Sequence, residues 1–137
     1  MKSPRRRPLV ASLVILLVGG LAATFASSLR EGENALIDRR YADAVIALQS
    51  ALSEEPVERQ PRVLLLLARA QELAGQDEAA VQTYGRILAE HSESAAFDRA
   101  AFEQAEALIE LRRFREAADV YRGQVERLTG APRKEEI

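Results

Sequence analysis

The sequence predicts an all-α protein in which a short stack of helix pairs follows an N-terminal transmembrane or signal-anchor helix. An uncharged apolar run over residues 9–26 indicates the N-terminal helix. Beyond it, apolar residues recur at the three- and four-residue spacing of a helix face, without the alternation of a strand. One pattern also occurs three times there, anchored on Ala44, Ala80 and Ala117. The anchors lie 36 and 37 residues apart, a period typical of stacked helix pairs.

The composition fits one small helical domain and excludes several kinds of site. A length of 137 residues suggests a single domain together with a targeting segment. Hydrophobic residues make up 47% of the chain but aromatic residues only 5%, so Ala and Leu must build most of the core. The absence of cysteine excludes disulfides, thiolate catalysis, cysteine-based zinc sites and a lipid-modified N-terminal cysteine.

Charge is distributed unevenly along the chain. Four basic residues precede the apolar run, namely Lys2, Arg5, Arg6 and Arg7. They leave 15 of the 19 basic residues to oppose 21 acidic ones, so the rest of the chain carries about −6 although the whole chain carries −2. A domain of this sign repels phosphate backbones, and we therefore expect no nucleic-acid partner.

Residues 1–8 form a basic segment that we expect in the cytoplasm, and residues 9–28 form the predicted anchor or signal segment. As a helix, the 18 uncharged residues would extend about 27 Å, close to the roughly 30 Å of a bilayer hydrocarbon core. A cleaved secretory signal is the alternative, because small residues such as Ala26 and Ser28 end the segment. In both interpretations, the rest of the chain is exported across the membrane.

The basic residues before the run predict an N-terminus in the cytoplasm and repeats in the periplasm or outside the cell. We therefore expect a single-pass protein of the bacterial inner (cytoplasmic) membrane, held by residues 9–26. The alternative is a secreted or periplasmic protein after signal cleavage. The stretch from Arg6 to Leu9 is partly similar to a twin-arginine export signal, but charges that set topology explain it more simply.

The soluble part, up to residue 130, divides into units of two helices each. In the first unit, the upstream helix covers about residues 29–38. In the second, a Leu-rich helix over residues 63–74 ends at Gly75, which suits a left-handed C-cap. Asp77 is the predicted N-cap of the helix that follows.

The third unit repeats this arrangement. Ser94 is the predicted N-cap of a helix that continues to about Arg113. In all three units, a larger apolar residue follows the anchor alanine by four positions, one helical turn along the same face. These residues are Leu48, Tyr84 and Tyr121. Each second helix therefore presents a small and a large residue side by side.

Two alternatives remain open for this part of the chain. An ordinary amphipathic bundle would also bury the apolar faces of these helices. It does not, however, require helix-turn-helix units to recur at a near-constant period. Residues 131–137 are either the start of a further helix, with Pro132 in its first turn, or a polar tail. So short a segment does not form a stable helix by itself.

The units resemble the tetratricopeptide repeat, which carries a small residue in its first helix and an Ala, aromatic, Ala and Pro series in its second. The matching residues are Gly32, Ala44, Leu48, Ala51 and Pro56, then Leu64, Leu67, Ala68, Ala80 and Tyr84, and finally Ala105, Leu108, Ala117 and Tyr121. Departures are Ser28 and Glu31 in place of large apolar residues, Ile87 and Gln124 in place of Ala, and no closing Pro in the second and third units. The resemblance implies a right-handed superhelical stack of about three helix hairpins that binds other proteins.

The resemblance also implies that the first helices of the units line a concave groove. The implied groove residues are Leu29, Glu33, Leu36, Leu65, Arg69, Glu72, Phe102, Glu106 and Ile109. Their mixture of apolar and charged side chains suits an amphipathic helix or an extended segment of a partner protein. The Lys and Asn cluster with which some members of the family bind a C-terminal carboxylate is not matched. In an alternative interpretation, Leu65 and Phe102 are simply core residues.

No pattern in the sequence indicates catalysis, a cofactor, a metal or a small-molecule substrate. His91 is the single histidine, and a pair formed with Ser92 lacks the orienting acid of a catalytic triad. One histidine without cysteine cannot supply a His/Cys metal site, and the seven glycines are too scattered for a phosphate-binding loop. We therefore predict that the protein is not an enzyme.

Together these features predict a membrane-tethered scaffold that mediates protein-protein interaction in the assembly or organisation of a cell-envelope complex. Two alternatives use the same features. In one, the repeats are the N-terminal structural spacer of a larger multi-repeat envelope protein. In the other, the protein is a secreted periplasmic repeat protein after signal cleavage.

Overall fold

The computed structural model describes residues 28–130 of the chain. The predicted basic segment, the predicted anchor up to residue 27 and the predicted tail lie outside this range. The choice between a retained anchor and a cleaved signal therefore stays a prediction. Within residues 28–130, no helix combines the length and the apolar character needed to cross a membrane.

Six helices make up the described part of the chain, and no strand occurs in it. They are α1 (28–37), α2 (Tyr41–Glu54), α3 (Gln60–Leu73), α4 (Asp77–Glu90), α5 (Phe97–Glu110) and α6 (Phe114–Thr129). From α2 onward each helix packs on the next one along the chain, and α1 joins α2 and α3 in one apolar cluster. For residues 28–130, the prediction of an all-α stack of helix pairs is confirmed. The right-handed sense of the stack stays a prediction.

The anchor alanines lie where neighbouring helices meet. Ala44, Ala80 and Ala117 are all buried, because a small side chain lets a neighbouring helix approach closely while larger residues fill the grooves beside it. Of the larger residues one turn further on, Leu48 and Tyr84 are fully buried. The predicted pattern of small and large core residues in the second helices is therefore confirmed for the three alanines and for Leu48 and Tyr84.

The core extends through the stack as three apolar clusters, each shared by three consecutive helices. Representative members are Ala35, Leu48 and Val63 in the first cluster, Leu64, Tyr84 and Ala100 in the second, and Val81, Leu108 and Ala117 in the third. Since every cluster joins two helix pairs, each pair depends on its neighbours to bury its apolar faces.

The turn inside each helix pair has the same backbone geometry all three times. Arg39, Gly75 and Arg112 occupy equivalent positions and have positive φ angles of 60°, 73° and 60°. The N–H of the next residue donates to the carbonyl five residues earlier, with 2.8 Å between N and O in every case. This is the Schellman arrangement that closes a helix. The left-handed conformation predicted for Gly75 is confirmed.

The predicted N-cap role of Asp77 is wrong. The N-cap position of α4 is Gln76, without a capping hydrogen bond from its side chain, and Asp77 is the first residue of the helix. The Gln76 carbonyl already accepts the Ala80 N–H at 3.0 Å, so the Schellman turn leads directly into α4. Asp77 then lies in the first turn, where the helix dipole favours its carboxylate.

The predicted limits of the third upstream helix are also wrong. The Ser94 carbonyl accepts the Phe97 N–H at 3.1 Å, so Ser94 begins a turn and does not cap the helix. The N-cap position is Ala96, and α5 ends at Glu110 instead of Arg113. The helix stops there because the left-handed conformation of Arg112 cannot continue a right-handed helix.

Candidate partner-binding groove

The nine groove residues that the resemblance implies lie on the first helices α1, α3 and α5. Leu29, Glu33 and Leu36 belong to α1, Leu65, Arg69 and Glu72 to α3, and Phe102, Glu106 and Ile109 to α5. None of the nine is buried, whereas other sides of the same helices carry the core residues Ala35, Leu64 and Ala105. Three of the nine, Arg69, Phe102 and Glu106, are exposed and the other six are half-buried. Their contact with a partner stays a prediction.

Leu65 and Phe102 differ in how far they take part in the core. The Phe102 side chain is 55% exposed, and its ring meets the ring of Tyr121 edge-on at 6.4 Å between centroids. Leu65 is half-buried and packs against the second apolar cluster. The interpretation of both as core residues therefore fails for Phe102, while Leu65 both supports the core and borders the groove.

Ion pairs connect the three first helices along this surface. Arg62 of α3 lies 2.8 Å from Glu33 of α1, measured between Nη2 and Oε1. On the other side, Arg69 of α3 lies 3.9 Å from Glu103 of α5, which is also 3.7 Å from Arg99. Exposed pairs of this kind add little stability. They do, however, place positively and negatively charged side chains next to one another across α1, α3 and α5.

Sequence reasoning missed Arg62, Arg99 and Glu103 as groove residues. Helix spacing is the signal that could have found the two arginines. Arg62 precedes Leu65 by three residues and Arg99 precedes Phe102 by three, which places each pair on neighbouring turns of one helix face.

Glu72 lies in a partly desolvated environment at the edge of the groove. Its Oε2 accepts a hydrogen bond from the Tyr84 hydroxyl at 2.9 Å. Desolvation raises the pKa of Glu72, although the bond from Tyr84 acts in the opposite direction. Burial, together with the neighbouring Glu72 carboxylate, raises the pKa of Tyr84. The phenol therefore stays protonated and remains the donor of this bond.

A similar hydrogen bond joins the two helices of the next unit. The Tyr121 hydroxyl donates to Oε1 of Glu106 at 2.7 Å, and this bond raises the pKa of Tyr121. In both units, a second-helix tyrosine holds a carboxylate of the first helix at the groove. Each of the two carboxylates is thus held by a hydrogen bond from a tyrosine of the following helix.

Three adjoining cavities follow the surface. One of about 200 Å³ lies between α3 and α5 and includes Leu65 and Tyr84 in its lining. A second of about 410 Å³ extends to Leu29 of α1, and a third of about 510 Å³ extends to the turn at Ser94. Arg62 lines all three. The three cavities therefore adjoin one another around the Arg62 side chain.

The structure also locates the residues considered for catalysis. His91 is the C-cap of α4, and its backbone N–H donates to the Ile87 carbonyl at 3.0 Å. Between residues 28 and 130, no three His, Asp or Glu side chains are grouped so that they could hold a metal ion. The absence of an enzymatic activity stays a prediction.

Comparison with known proteins supports the repeat interpretation. Residues 62–94 match the family model described as tetratricopeptide repeat. This range covers nearly all of α3, the Gly75 turn and all of α4, and so corresponds to one complete helix pair. No curated protein and no solved structure matches the chain. The match supports a tetratricopeptide-repeat protein, with α3 and α4 forming the matched repeat.

Proposed function

We propose that the protein is a membrane-tethered scaffold that binds a protein partner in the groove formed by α1, α3 and α5. One observation carries the proposal. The nine groove residues remain accessible although other sides of the same three helices are buried in the core. These helices bury one apolar side and still present Leu65 and Phe102 outward. They therefore have surface available for a second protein.

The chemistry of the groove favours a partner segment with mixed character. Leu65 and Phe102 offer apolar contact, while Arg62, Arg69 and Glu103 stand close to them. An amphipathic helix, or an extended segment with alternating apolar and charged side chains, would complement such a surface. Aromatic and arginine side chains are also the residues that most often dominate binding energy at protein interfaces.

The proposed tether is the apolar run over residues 9–26, which has the length of a membrane span. The basic residues before it favour an N-terminus in the cytoplasm and repeats in the periplasm. In this arrangement the groove would serve assembly or organisation of a cell-envelope complex at the inner membrane. Mass determination of the protein from membranes tests the tether, because a chain that begins after Ala26 or Ser28 indicates a cleaved signal and a secreted protein.

A structural spacer within a larger envelope protein is the second candidate. The core clusters favour it, because each joins neighbouring helix pairs and such stacks extend by adding pairs. In a pure spacer the groove has no partner, so substitutions there would leave every association of the protein unchanged.

Crosslinking in native membranes tests the groove. We expect the full chain to yield a defined crosslinked partner, and Leu65→Glu and Phe102→Glu each to reduce its yield at least about tenfold, as for truncated hot spots. Ile46→Glu is the matched control, because Ile46 is an exposed apolar residue of α2, outside the groove. An undiminished yield from both groove variants, with their helical content intact by circular dichroism, would exclude the groove as the binding site.

A further inference from the structure

The cavity between α3 and α5 differs in charge from the protein as a whole. Among residues 28–130, three arginines and one carboxylate line it, namely Arg62, Arg69, Arg99 and Glu103. The chain beyond its basic N-terminal segment carries about −6, so the lining of this cavity has the opposite sign. A negatively charged ligand is therefore attracted to this part of the groove, although the protein as a whole repels it.

Apolar side chains lie between the arginines. Arg62 and Arg69 are seven residues apart on α3, which places them two turns apart on one face of the helix. Leu65 and Leu66 occupy the turn between them, and Arg99 lines the cavity from α5. A small hydrated anion would use only the cationic groups. An amphipathic peptide segment would use the apolar surface as well.

Glu103 of α5 lies between two of these arginines. Its Oε2 is 3.9 Å from Nη1 of Arg69, and its Oε1 is 3.7 Å from Nε of Arg99. Both distances exceed the length of a hydrogen bond, so two guanidinium groups share one carboxylate loosely. The Glu103 side chain is only 22% exposed, compared with 54% for Arg69 and 70% for Arg99. A second carboxylate can therefore reach both guanidinium groups from outside.

Two further carboxylates at the groove are already engaged. Glu33 of α1 accepts a hydrogen bond from Nη2 of Arg62 at 2.8 Å, and Glu72 of α3 accepts the Tyr84 hydroxyl at 2.9 Å. Neither bond involves Arg69 or Arg99. These two arginines therefore keep N–H donors available for a ligand.

We propose that the cavity between α3 and α5 binds an acidic amphipathic helix of the partner protein, and that Glu103 competes with it for Arg69 and Arg99. A carboxylate of the partner binds the two guanidinium groups, while apolar residues of the same helix contact Leu65 and Leu66. Glu103 occupies the arginines in the free protein and so lowers the affinity for the partner. The inference rests on the proposed function, because it names the partner of the same groove.

Two synthetic peptides test the charge of the partner. Each has about 15 residues, enough for a marginal helix, with leucines on one face. One carries glutamates a turn before and a turn after the leucines, and the other carries glutamines at the same places. Both are amidated at the C-terminus, so only side-chain charge differs. Photocrosslinking to the full chain in neutral detergent micelles measures apparent affinity, and the glutamate peptide should bind at least about fivefold more tightly.

Variants of the protein test the competition. Arg69→Gln and Arg99→Gln should each weaken binding of the glutamate peptide at least about threefold, because each removes one cationic group. Glu103→Gln should strengthen binding at least about threefold, because both arginines lose their internal carboxylate. A substitution that merely damages the fold would weaken binding instead. Arg115→Gln on α6 and Glu54→Gln on α2 are the matched controls, since both residues are exposed outside the groove.

The outcomes separate this inference from the proposed function. Equal affinity of the two peptides, or no gain from Glu103→Gln, would overturn the inference. Displacement of the glutamate peptide by an equal concentration of inorganic phosphate would indicate a simple anion site and overturn it as well. The native crosslinked partner then decides about the groove. If Leu65→Glu still reduces the yield of that partner, the groove binds a protein of different character and the proposed function stands.

Discussion

Gly32 of α1 lies against the Leu48 side chain of α2. A β-carbon at this position would lie 2.6 Å from Cγ of Leu48 and 2.8 Å from its Cδ2. Leu48 is fully buried, so the neighbours packed around it oppose its displacement. We expect Gly32→Ala to lower the free energy of unfolding by about 1–3 kcal/mol, as for other overpacked cores. Urea unfolding followed by circular dichroism measures the change.

Gly123 provides the matched control in the interior of α6. A β-carbon there meets nothing within 4 Å, so Gly123→Ala only removes the conformational freedom that glycine retains in the unfolded chain. This substitution should raise the free energy of unfolding by about 0.5–1 kcal/mol. Shifts of the same sign for the two glycines would contradict the close contact at Gly32.

Glu72 makes the stability depend on pH. Its pKa is raised in the folded protein, chiefly by desolvation, so the folded state holds the proton more firmly than the unfolded state. This contribution to stability is complete below the pKa of an unperturbed glutamate and is lost as the pH rises through the raised value. Ionised Glu72 therefore weakens the fold near neutral pH.

Replacement of Glu72 removes this dependence. Glu72→Gln keeps an oxygen that can accept the Tyr84 hydroxyl bond, but it has no carboxylate to desolvate. We expect the variant to gain more stability over the original protein at about pH 7 than at about pH 4. Melting temperatures of both proteins at both pH values measure the gain. A gain that is equal at the two pH values, or larger in acid, would refute the assignment.

The turns within the helix pairs are equivalent elements built from different residues. Arg39, Gly75 and Arg112 all adopt the left-handed conformation, which is unfavourable for a side chain with a β-carbon but not for glycine. We expect Arg112→Gly to raise the free energy of unfolding by about 0.5–1 kcal/mol. Thermal unfolding followed by circular dichroism measures this gain.

The reverse exchange at the middle turn should have the opposite effect. Nothing lies within 4 Å of a β-carbon built on Gly75, so steric exclusion does not complicate the result. Gly75→Arg should lower the free energy of unfolding by about 1 kcal/mol through backbone conformation alone. If arginine and glycine were interchangeable at both turns, the left-handed geometry would not limit stability.

At the scale of the whole molecule, we expect the described helices to form a stack in which each helix pair depends on its neighbours for stability. Ala80 lies in the second cluster, between α3 and α5, whereas Ala117 lies in the third cluster and belongs to the last described helix, α6. Leucine at either position would overpack a buried site at a cost of about 1–3 kcal/mol. We expect Ala80→Leu to accelerate amide exchange throughout α3, α4 and α5, and Ala117→Leu mainly in α5 and α6.

Hydrogen exchange resolved by helix distinguishes these outcomes. Ala89→Leu is the control, because Ala89 is exposed on α4 and a larger side chain there meets solvent. Uniform acceleration over all six helices from both core variants would indicate a single cooperative core, and the description as a stack of dependent units would be wrong.

Much of the fold could be predicted because the relevant information is local. Ala44, Ala80 and Ala117 stand out through their spacing, and all three are buried. Gly75 indicates a left-handed turn by its residue type, and has one. Arg39 and Arg112 adopt the same conformation without such a signal, because the surrounding Schellman bonds impose it. The limits predicted from Asp77, Ser94 and Arg113 failed because backbone bonds, and not side-chain caps, begin and end these helices.

Only those features of the groove that follow from the spacing of residues along a helix could be predicted. None of the nine residues implied by the resemblance is buried, because the helical period places them on sides of the three first helices away from the core. Their neighbours were not predictable, since Arg62 and Glu33 are 29 residues apart in the chain yet 2.8 Å apart in space. Tyr84 and Glu72 likewise become partners only through packing.

By itself, the sequence determined the helical class, the repeat period and the small core positions, because each depends on the few residues of one or two helical turns. Tertiary structure alone decided which charged residues meet and which carboxylate is desolvated. Those properties depend on distances between helices, and such distances exist only after the apolar faces have packed against one another.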